Sequence, residues 1–341
     1  LRKVNVAVVG ATGAVGEEML RVMEEYDFPV NNLIPLASAR SAGAKVEFKG
    51  EEYTVLELTE KVFEEKEVEI ALFSAGGSVS AHYAPYAVEA GAVVIDNTSH
   101  FRMEPDIPLV VPEVNPDDIA AWQNRGIIAN PNCSTIQMVQ ALKPLDDIFG
   151  IKRVDVATYQ ATSGAGKSAM EEMVTQMRDF FAFKLDESEH NKFPHQIALN
   201  VIPQIDKFMD NGYTKEEMKM VNETKKIMHK NIEVSATCVR VPVLRGHSEA
   251  VTIWFERDIT ADAAREALYN GKNIVVIDNP QNSEYPMPIT VVDKDETYVG
   301  RIRKDIYRDN VLHMWVVADN LRVGAATNAV RIALKWLEME S

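Results

Sequence analysis

Val4-Asn5-Val6-Ala7-Val8-Val9-Gly10-Ala11-Thr12-Gly13-Ala14-Val15-Gly16 decides how the rest of the chain is read. The apolar run 4–9 reads as a buried strand. Three glycines at 10, 13 and 16 follow, and then an amphipathic helix with Val15, Met19, Val22, Met23 and Tyr26 on one face. Strand, glycine turn and helix together make the context of a dinucleotide fingerprint, here spaced GxxGxxG. Bare glycines let the backbone approach a pyrophosphate, and the N–H groups of the helix's first turn bind it.

Outward from this stretch, Leu33–Ala37 reads as a second strand. An NAD enzyme often carries an acid where that strand ends, to hold the ribose 2′-hydroxyl. Ser38-Ala39-Arg40-Ser41 stands there instead, and hydroxyls with an arginine suit the 2′-phosphate of NADP. Glu69–Ala75 is a further strand leading into Gly76-Gly77-Ser78, with a helix over about 79–90 and a strand over 92–96. The alternation predicts a parallel sheet covered by helices, with ligands beyond the strands' carboxyl ends, where Ser74-Ala75-Gly76 and Asn97-Thr98-Ser99 lie. Arg102, just beyond, is a bidentate donor suited to phosphate or carboxylate.

The 341 residues suit two domains. A net charge of −15 argues against a nucleic-acid surface and requires any anion site to carry its own cations. Two cysteines, Cys133 and Cys238, are too few for a disulfide scaffold. With no leader pattern in the given sequence, a cytoplasmic setting is the expectation, and no apolar run reaches the roughly 18 residues of a membrane span. Cys133 follows the short apolar run Ile127-Ile128-Ala129 and opens a helix expected to end at Lys143-Pro144. A cysteine at the positive end of a helix is favoured as thiolate, below the free pKa of about 8.5, and is a candidate nucleophile.

From residue 154 the pattern changes. Residues 154–160 alternate like a half-exposed strand. Gly166-Lys167-Ser168 is rejected as a P-loop, because Ala161 stands where the first glycine is needed. The helix that follows is expected to turn Met170, Met173, Val174, Met177, Phe180 and Phe181 inward. Thr214-Lys215-Glu216-Glu217 is a capping box opening a helix to about Lys230, with Glu223 and Lys226 on one face as an ion pair or as an acid and a base for a ligand. Residues 237–243 and 250–255 read as a hairpin through the turn holding Gly246 and His247. His247 suits a general base near neutrality. Ile289–Val292 and Leu312–Val317 read as further strands, and Gly324 opens a final helix.

These segments together resemble the aspartate-semialdehyde dehydrogenase family over essentially the whole length. The residues that carry the resemblance are Gly10–Gly16, Ala37–Ser41, Phe101-Arg102, Asn130-Pro131-Asn132-Cys133-Ser134-Thr135, Gln160 with Ser163–Gly166, Glu223 with Lys226, Arg240-Val241-Pro242-Val243 and Gly246-His247. The resemblance implies an α/β fold: a Rossmann NADP domain over 1–131 and 322–341, and an α+β catalytic and dimerisation domain with a mixed sheet over 132–321. It implies reversible, NADPH-dependent conversion of L-aspartyl 4-phosphate to L-aspartate 4-semialdehyde and phosphate, in the route to lysine, methionine, threonine and diaminopimelate.

In that scheme Cys133 is the nucleophile that becomes thioacylated, His247 the base and Gln160 the orienting residue. Arg240 grips the α-carboxylate and Glu223 the ammonium, while Arg102 and Lys226 hold phosphate. Cofactor contacts are implied at Gly10, Thr12, Gly13, Ala14, Val15, Gly16, Ala37, Ser38, Arg40, Ser41, Ser74, Ala75, Gly76, Ser163, Gly164, Gly166 and Asn320. No metal and no membrane is implied, and the expected partner is a second copy of the chain. N-acetyl-glutamyl-phosphate reductase is the nearest rival, disfavoured because an acetylated nitrogen has no charge for a carboxylate to meet. A silent NADP-binding thiol sensor is the rival from another class; it would not need Gln160, Arg240 and His247.

Overall fold

The computed structural model describes residues 1–340. The chain forms two compact units, one of residues Leu1–Asn132 joined by the segment from Ala325 onward, the other Cys133–Gly324.

In the first unit, β1 (Val4–Val9) is buried along its whole length and α1 (Ala14–Glu25) follows the glycine turn. Then come β2 (Val30–Ala37), a small ribbon of β3 (Lys45–Phe48) and β4 (Glu51–Thr54), β5 (Leu56–Glu57) and the short α2 (Val62–Glu65). β6 (Ile70–Phe73), α3 (Gly77–Glu89), β7 (Val93–Asp96) and β8 (Ile127–Ala129) complete the sequence. The sheet order is β5-β2-β1-β6-β7-β8, with every pairing parallel. Strands buried on both faces explain the unbroken apolar runs, since helices cover a parallel sheet on each side.

The second unit opens with α4 (Cys133–Phe149), which runs through Pro144 where the sequence reading stopped it. Proline in a helix interior removes one N–H and crowds the preceding turn, and burial of ten residues of the helix outweighs that local penalty. The unit continues with β9 (Ile151–Gln160), α5 (Lys167–Phe181), α6 (Lys215–Met228), β10 (Glu233–Arg240) and β11 (His247–Phe255). α7 (Ala261–Tyr269), β12 (Ile274–Val276), α8 (Pro288–Val291), β13 (Thr297–Lys304) and β14 (Val311–Ala318) follow. The sheet is mixed, ordered β10-β9-β11-β14-β13-β12.

Three expectations fail here. β10 and β11 are not a hairpin: β9 lies between them, parallel to β10 and antiparallel to β11. The connection 241–246 instead crosses the end of β9, where the Val241 N–H donates to Gln160 O and the Thr162 N–H to Val243 O. Residues 289–291 are helical rather than extended, because Pro288 takes the first helical position, where its fixed φ and missing N–H cost nothing. On α5 only Ala169, Met173 and Gln176 are buried, and Phe181 is 73% exposed. Apolar periodicity marks a face to be covered, and this one is left uncovered among the described residues.

α9 (Thr327–Met339), reached through a π turn at Arg322–Ala326, belongs to the first unit. Its Ala329, Val330, Ile332, Ala333 and Leu337 enter the same core as Val6, Val8, Met19 and Ile95. Gly324 therefore sits within the turn rather than at the head of the helix.

Candidate active site

In the first unit the glycine turn has the shape a pyrophosphate needs. Gly10 has φ +87°, in the region that glycine alone enters freely, and its N–H donates to Leu36 O at 2.8 Å. A side chain at Gly16 would put its Cβ 2.0 Å from Gly10 O, so only glycine lets α1 pack against the turn. Thr12, Gly13, Ala14 and Val15 remain partly or wholly accessible around the helix start. Ser38 and Arg40 are exposed beyond the end of β2, and Ser74, Ala75 and Gly76 stand beyond the end of β6. These residues fit a dinucleotide carrying a 2′-phosphate: a bare cradle, helix N–H groups and a free guanidinium without an acid at the β2 end. Arg102 is 7% exposed and donates to Asn130 O at 2.9 Å and Asn97 O at 2.8 Å, which ties it across the ends of β7 and β8.

The second unit holds a denser cluster where β9, β10 and α4 meet the start of β11. Cys133 is the first residue of α4 and is partly accessible. A Cβ on Gly324 would come within 2.7 Å of the Cys133 Cβ, so the π turn can pass Cys133 this closely only as glycine. The sequence reading took Gly324 for a helix opener and missed this role.

Gln160 and Arg240 end β9 and β10 as register partners. Gln160 accepts from Thr158 Oγ1 at 2.9 Å and donates to Glu216 Oε1 at 3.1 Å. Arg240 donates to Ala161 O at 2.7 Å and lies over the ring of Phe193 at 5.9 Å. Burial draws the Arg240 pKa down, while the charges of Glu216 and Cys133 push it back up, so the thiol and the guanidinium are electrostatic neighbours. His247 is fully buried, and its Nδ1 accepts from the Ala161 N–H at 3.0 Å. Burial first, then the charge of Arg240, pushes its pKa down to about 3, against smaller opposing pulls from Glu216 and the Gly246 carbonyl.

Gly246, at φ +97°, would meet Pro288 with any side chain, and its N–H donates to Asn320 Oδ1 at 2.8 Å. Asn320 also pairs with the Ser163 hydroxyl, so both side chains are engaged in holding the loops. Gly164 is exposed, and a Cβ there would stand 3.1 Å from Arg240 Nη1 and 3.2 Å from His247 Nε2.

The acid that accepts from Gln160 is Glu216, and the base beside it is Lys219, where the sequence pointed to Glu223 and Lys226. Lys219 Nζ lies 3.0 Å from Glu216 Oε2 and 3.2 Å from Asp206 Oδ2. Both pairs have the pattern E-x-x-K, and seven residues separate them. Along a helix that is about 10 Å, enough to leave Glu223 beside the middle of β10 rather than its end. The signal that distinguishes them was in the order of elements. α6 turns back at His229, in a left-handed conformation, directly into β10. The first turn of the helix must therefore face the last residues of the strand, and Glu217 Oε1 does accept from the Cys238 N–H at 3.0 Å.

A semialdehyde dehydrogenase NAD-binding domain profile matches residues 5–122, and a semialdehyde dehydrogenase dimerisation domain profile matches residues 142–323. Aspartate-semialdehyde dehydrogenase of Campylobacter jejuni is 66% identical over 340 residues, covering 100% of this chain and 99% of the relative. The chain belongs to the aspartate-semialdehyde dehydrogenase family. Among solved members of that family, the Vibrio cholerae enzyme II complexed with ASA superimposes with a TM-score of 0.96 at 51% identity, covering 99% of both chains. The Candida albicans family member, solved with NADP, superimposes with a TM-score of 0.75 at 26% identity, covering 98% of both chains.

Proposed function

We propose that this protein catalyses the reversible reductive dephosphorylation of L-aspartyl 4-phosphate to L-aspartate 4-semialdehyde. The observation that carries the reading is a partly accessible cysteine at a helix start, next to a buried Arg240–Glu216–Gln160–His247 constellation, in a chain of this family. The N-terminus of α4 favours the Cys133 thiolate. That thiolate attacks the acyl phosphate, the C–O bond to phosphate breaks, and a thioacyl enzyme remains. NADPH, when bound, supplies the hydride that reduces the thioester carbonyl. The Gly10–Gly16 turn with Ser38, Arg40 and Ser41 would hold that cofactor. Collapse of the hemithioacetal then releases aldehyde and regenerates the thiolate.

Arg240 takes the substrate α-carboxylate as a guanidinium fork, and Glu216 takes the ammonium. Gln160, fixed from both ends of its amide, orients the intermediate. Lys219 meets the phosphate, and Arg102 is assigned to phosphate on the family pattern alone. An ionised acid at the amine position also disfavours an N-acetylated substrate, whose nitrogen has no charge to pair. The exposed aromatic faces at Tyr159, Phe181 and Phe183 suit a homodimer contact. Two cysteines outside any disulfide, one of them the nucleophile of this reading, suit a reducing cytoplasm. The test is NADPH formation from aspartate semialdehyde with and without inorganic phosphate. Phosphate-dependent turnover is expected, and turnover indifferent to phosphate removes the reading.

A further inference from the structure

Asp319 and Asn320 follow β14, whose last residue, Ala318, is the register partner of His247. Asp319 is fully buried, and its carboxylate is ringed by donors. Oδ1 accepts from Arg245 Nε at 2.9 Å, from the Leu321 N–H at 3.0 Å and from the Arg322 N–H at 3.4 Å. Oδ2 accepts from the Asp293 N–H at 2.8 Å and stands 2.8 Å from Arg245 Nη2. The Asp319 carbonyl takes the Gly324 N–H at 3.2 Å.

These bonds run in two directions. Backward, Arg245 stands two residues before His247, and the Gly246 between them is wedged between Pro288 and Asn320 Oδ1. Forward, Leu321, Arg322 and Gly324 lead into the π turn that passes against Cys133. One carboxylate therefore holds both the loop that delivers His247 and the turn that packs on Cys133. The sheet does not depend on it, because β11 and β14 are already paired from His247 to Trp254. A buried ion pair adds little net stability over an apolar pair of similar volume, since desolvation offsets its Coulomb energy. What a guanidinium laid side-on against a carboxylate does supply is a fixed distance and angle.

We propose that Asp319 is a positioning residue for the reaction assigned above, fixing through Arg245 and the 321–324 turn where His247 stands relative to the Cys133 sulfur. The proposal rests on that reading and deepens it. Base and nucleophile act together only on bound substrate, so a loosened clamp lowers kcat. It leaves KM alone, because Arg240 is anchored separately by Ala161 O, and the chain after it by the Val241 N–H on Gln160 O. A misplacement of about 1 Å is enough to cost about 10²-fold in rate.

Two measurements test this. The first is the kinetics of NADPH formation in Asp319→Ala, which removes both oxygens, in Arg245→Met, which cuts the loop side alone, and in the double variant. All are assayed at a temperature where melting curves show them folded. kcat should fall about 30- to 100-fold in Asp319→Ala and about tenfold in Arg245→Met, with KM for aspartate semialdehyde within about threefold of the parent. The double variant should be no slower than Asp319→Ala, since both changes cut one path. A purely structural clamp would lower the melting temperature and leave kcat of the folded protein within about twofold. That result, a loss carried by KM, or additive losses in the double variant overturns the proposal. Should Asp319→Ala fail to fold, Arg245→Met decides alone by the same split between kcat and KM.

The second measurement needs no turnover: the rate at which iodoacetamide alkylates Cys133, read from the mass of the labelled peptide. It should rise at least about threefold in Asp319→Ala, where the turn against Cys133 is released, and stay at the parent's value in Arg245→Met. Equal rates in all three proteins overturn the proposal. If the unsubstituted protein makes no NADPH, the assigned reaction fails, while alkylation still reports whether Asp319 holds the turn.

Discussion

β9, β10 and β11 each set one side chain at the end of the second sheet and another two residues deeper on the same face. The end layer is Gln160, Arg240 and His247; the deeper layer is Thr158, Cys238 and Glu249. Burial does not separate them, since none of the six is more than 6% exposed. Partners do. At the end of the sheet the ladder stops, and the backbone groups it no longer uses become available, so Ala161 gives its N–H to His247 and its carbonyl to Arg240. Two residues deeper β9 is paired on both sides, and only the edge strand β10 has backbone to spare, its Cys238 N–H going to Glu217 Oε1. Cys238 lies against Met220 with its thiol pushed far up by burial, and neither carboxyl oxygen of Glu249 has a partner among the described residues. The same alternation in sequence thus gives a rim tied to the Ala161 backbone and, below it, a layer whose Thr158 hydroxyl supports Gln160 from beneath.

The two thiols give the widest contrast. Cys133→Ala should lower turnover by at least about 10⁴-fold, as removal of a nucleophile does, with NADP binding intact. Cys238→Ala should keep turnover and lose about 1–2 kcal/mol of stability from the small cavity left. Steady-state rates beside thermal unfolding decide it, and a dead Cys238→Ala would erase the distinction between the layers.

The two acids of α6 sharpen the contrast along the helix. Glu216→Gln should cost about 10- to 100-fold in kcat/KM, the worth of a hydrogen bond to a charged group. Glu223→Gln should leave kcat/KM where it was. The reverse ranking would restore Glu223 as the substrate's partner.

The smallest effect is expected at Glu249. Burial raises its folded-state pKa well above the usual 4.5. The folded state therefore holds a proton that the unfolded chain releases above that value. Its contribution to stability is fully present below about pH 4.5 and is lost as pH rises toward the folded-state pKa. Glu249→Gln, neutral at every pH, should gain in melting temperature over the parent between about pH 5 and 8. Parallel melting curves across that range would show the carboxyl to be paired and ionised.

The first unit was legible where a buried strand runs straight into the helix that covers it, as β1 does into α1 and β6 into α3, while the ribbon β3–β4 and the short β5 after β2 went unread. The second was less so. Nothing within 237–255 says that β9, formed some eighty residues earlier, will insert between β10 and β11. The short β12 and the bulged β13 lack clean alternation and went unread. Cys133, Gln160, Arg240 and His247 could be named because each stands at an element's end with a distinctive neighbour. Glu216, which accepts from Gln160, went unnamed because helical periodicity is blind to a shift of seven residues, whereas the direction of travel along α6 and β10 distinguishes the two acids.

Asn328, on the returning helix α9, gives its amide to Asn130 Oδ1 at 2.5 Å and to Val110 O at 3.0 Å. This clasp, with the apolar side of α9, closes a core begun at Val4. The nucleotide-binding half is thus encoded first yet sealed late. During synthesis its exposed flank must wait while the ribosome makes the whole catalytic half, and a nascent chain halted before α9 would offer that flank to chaperones.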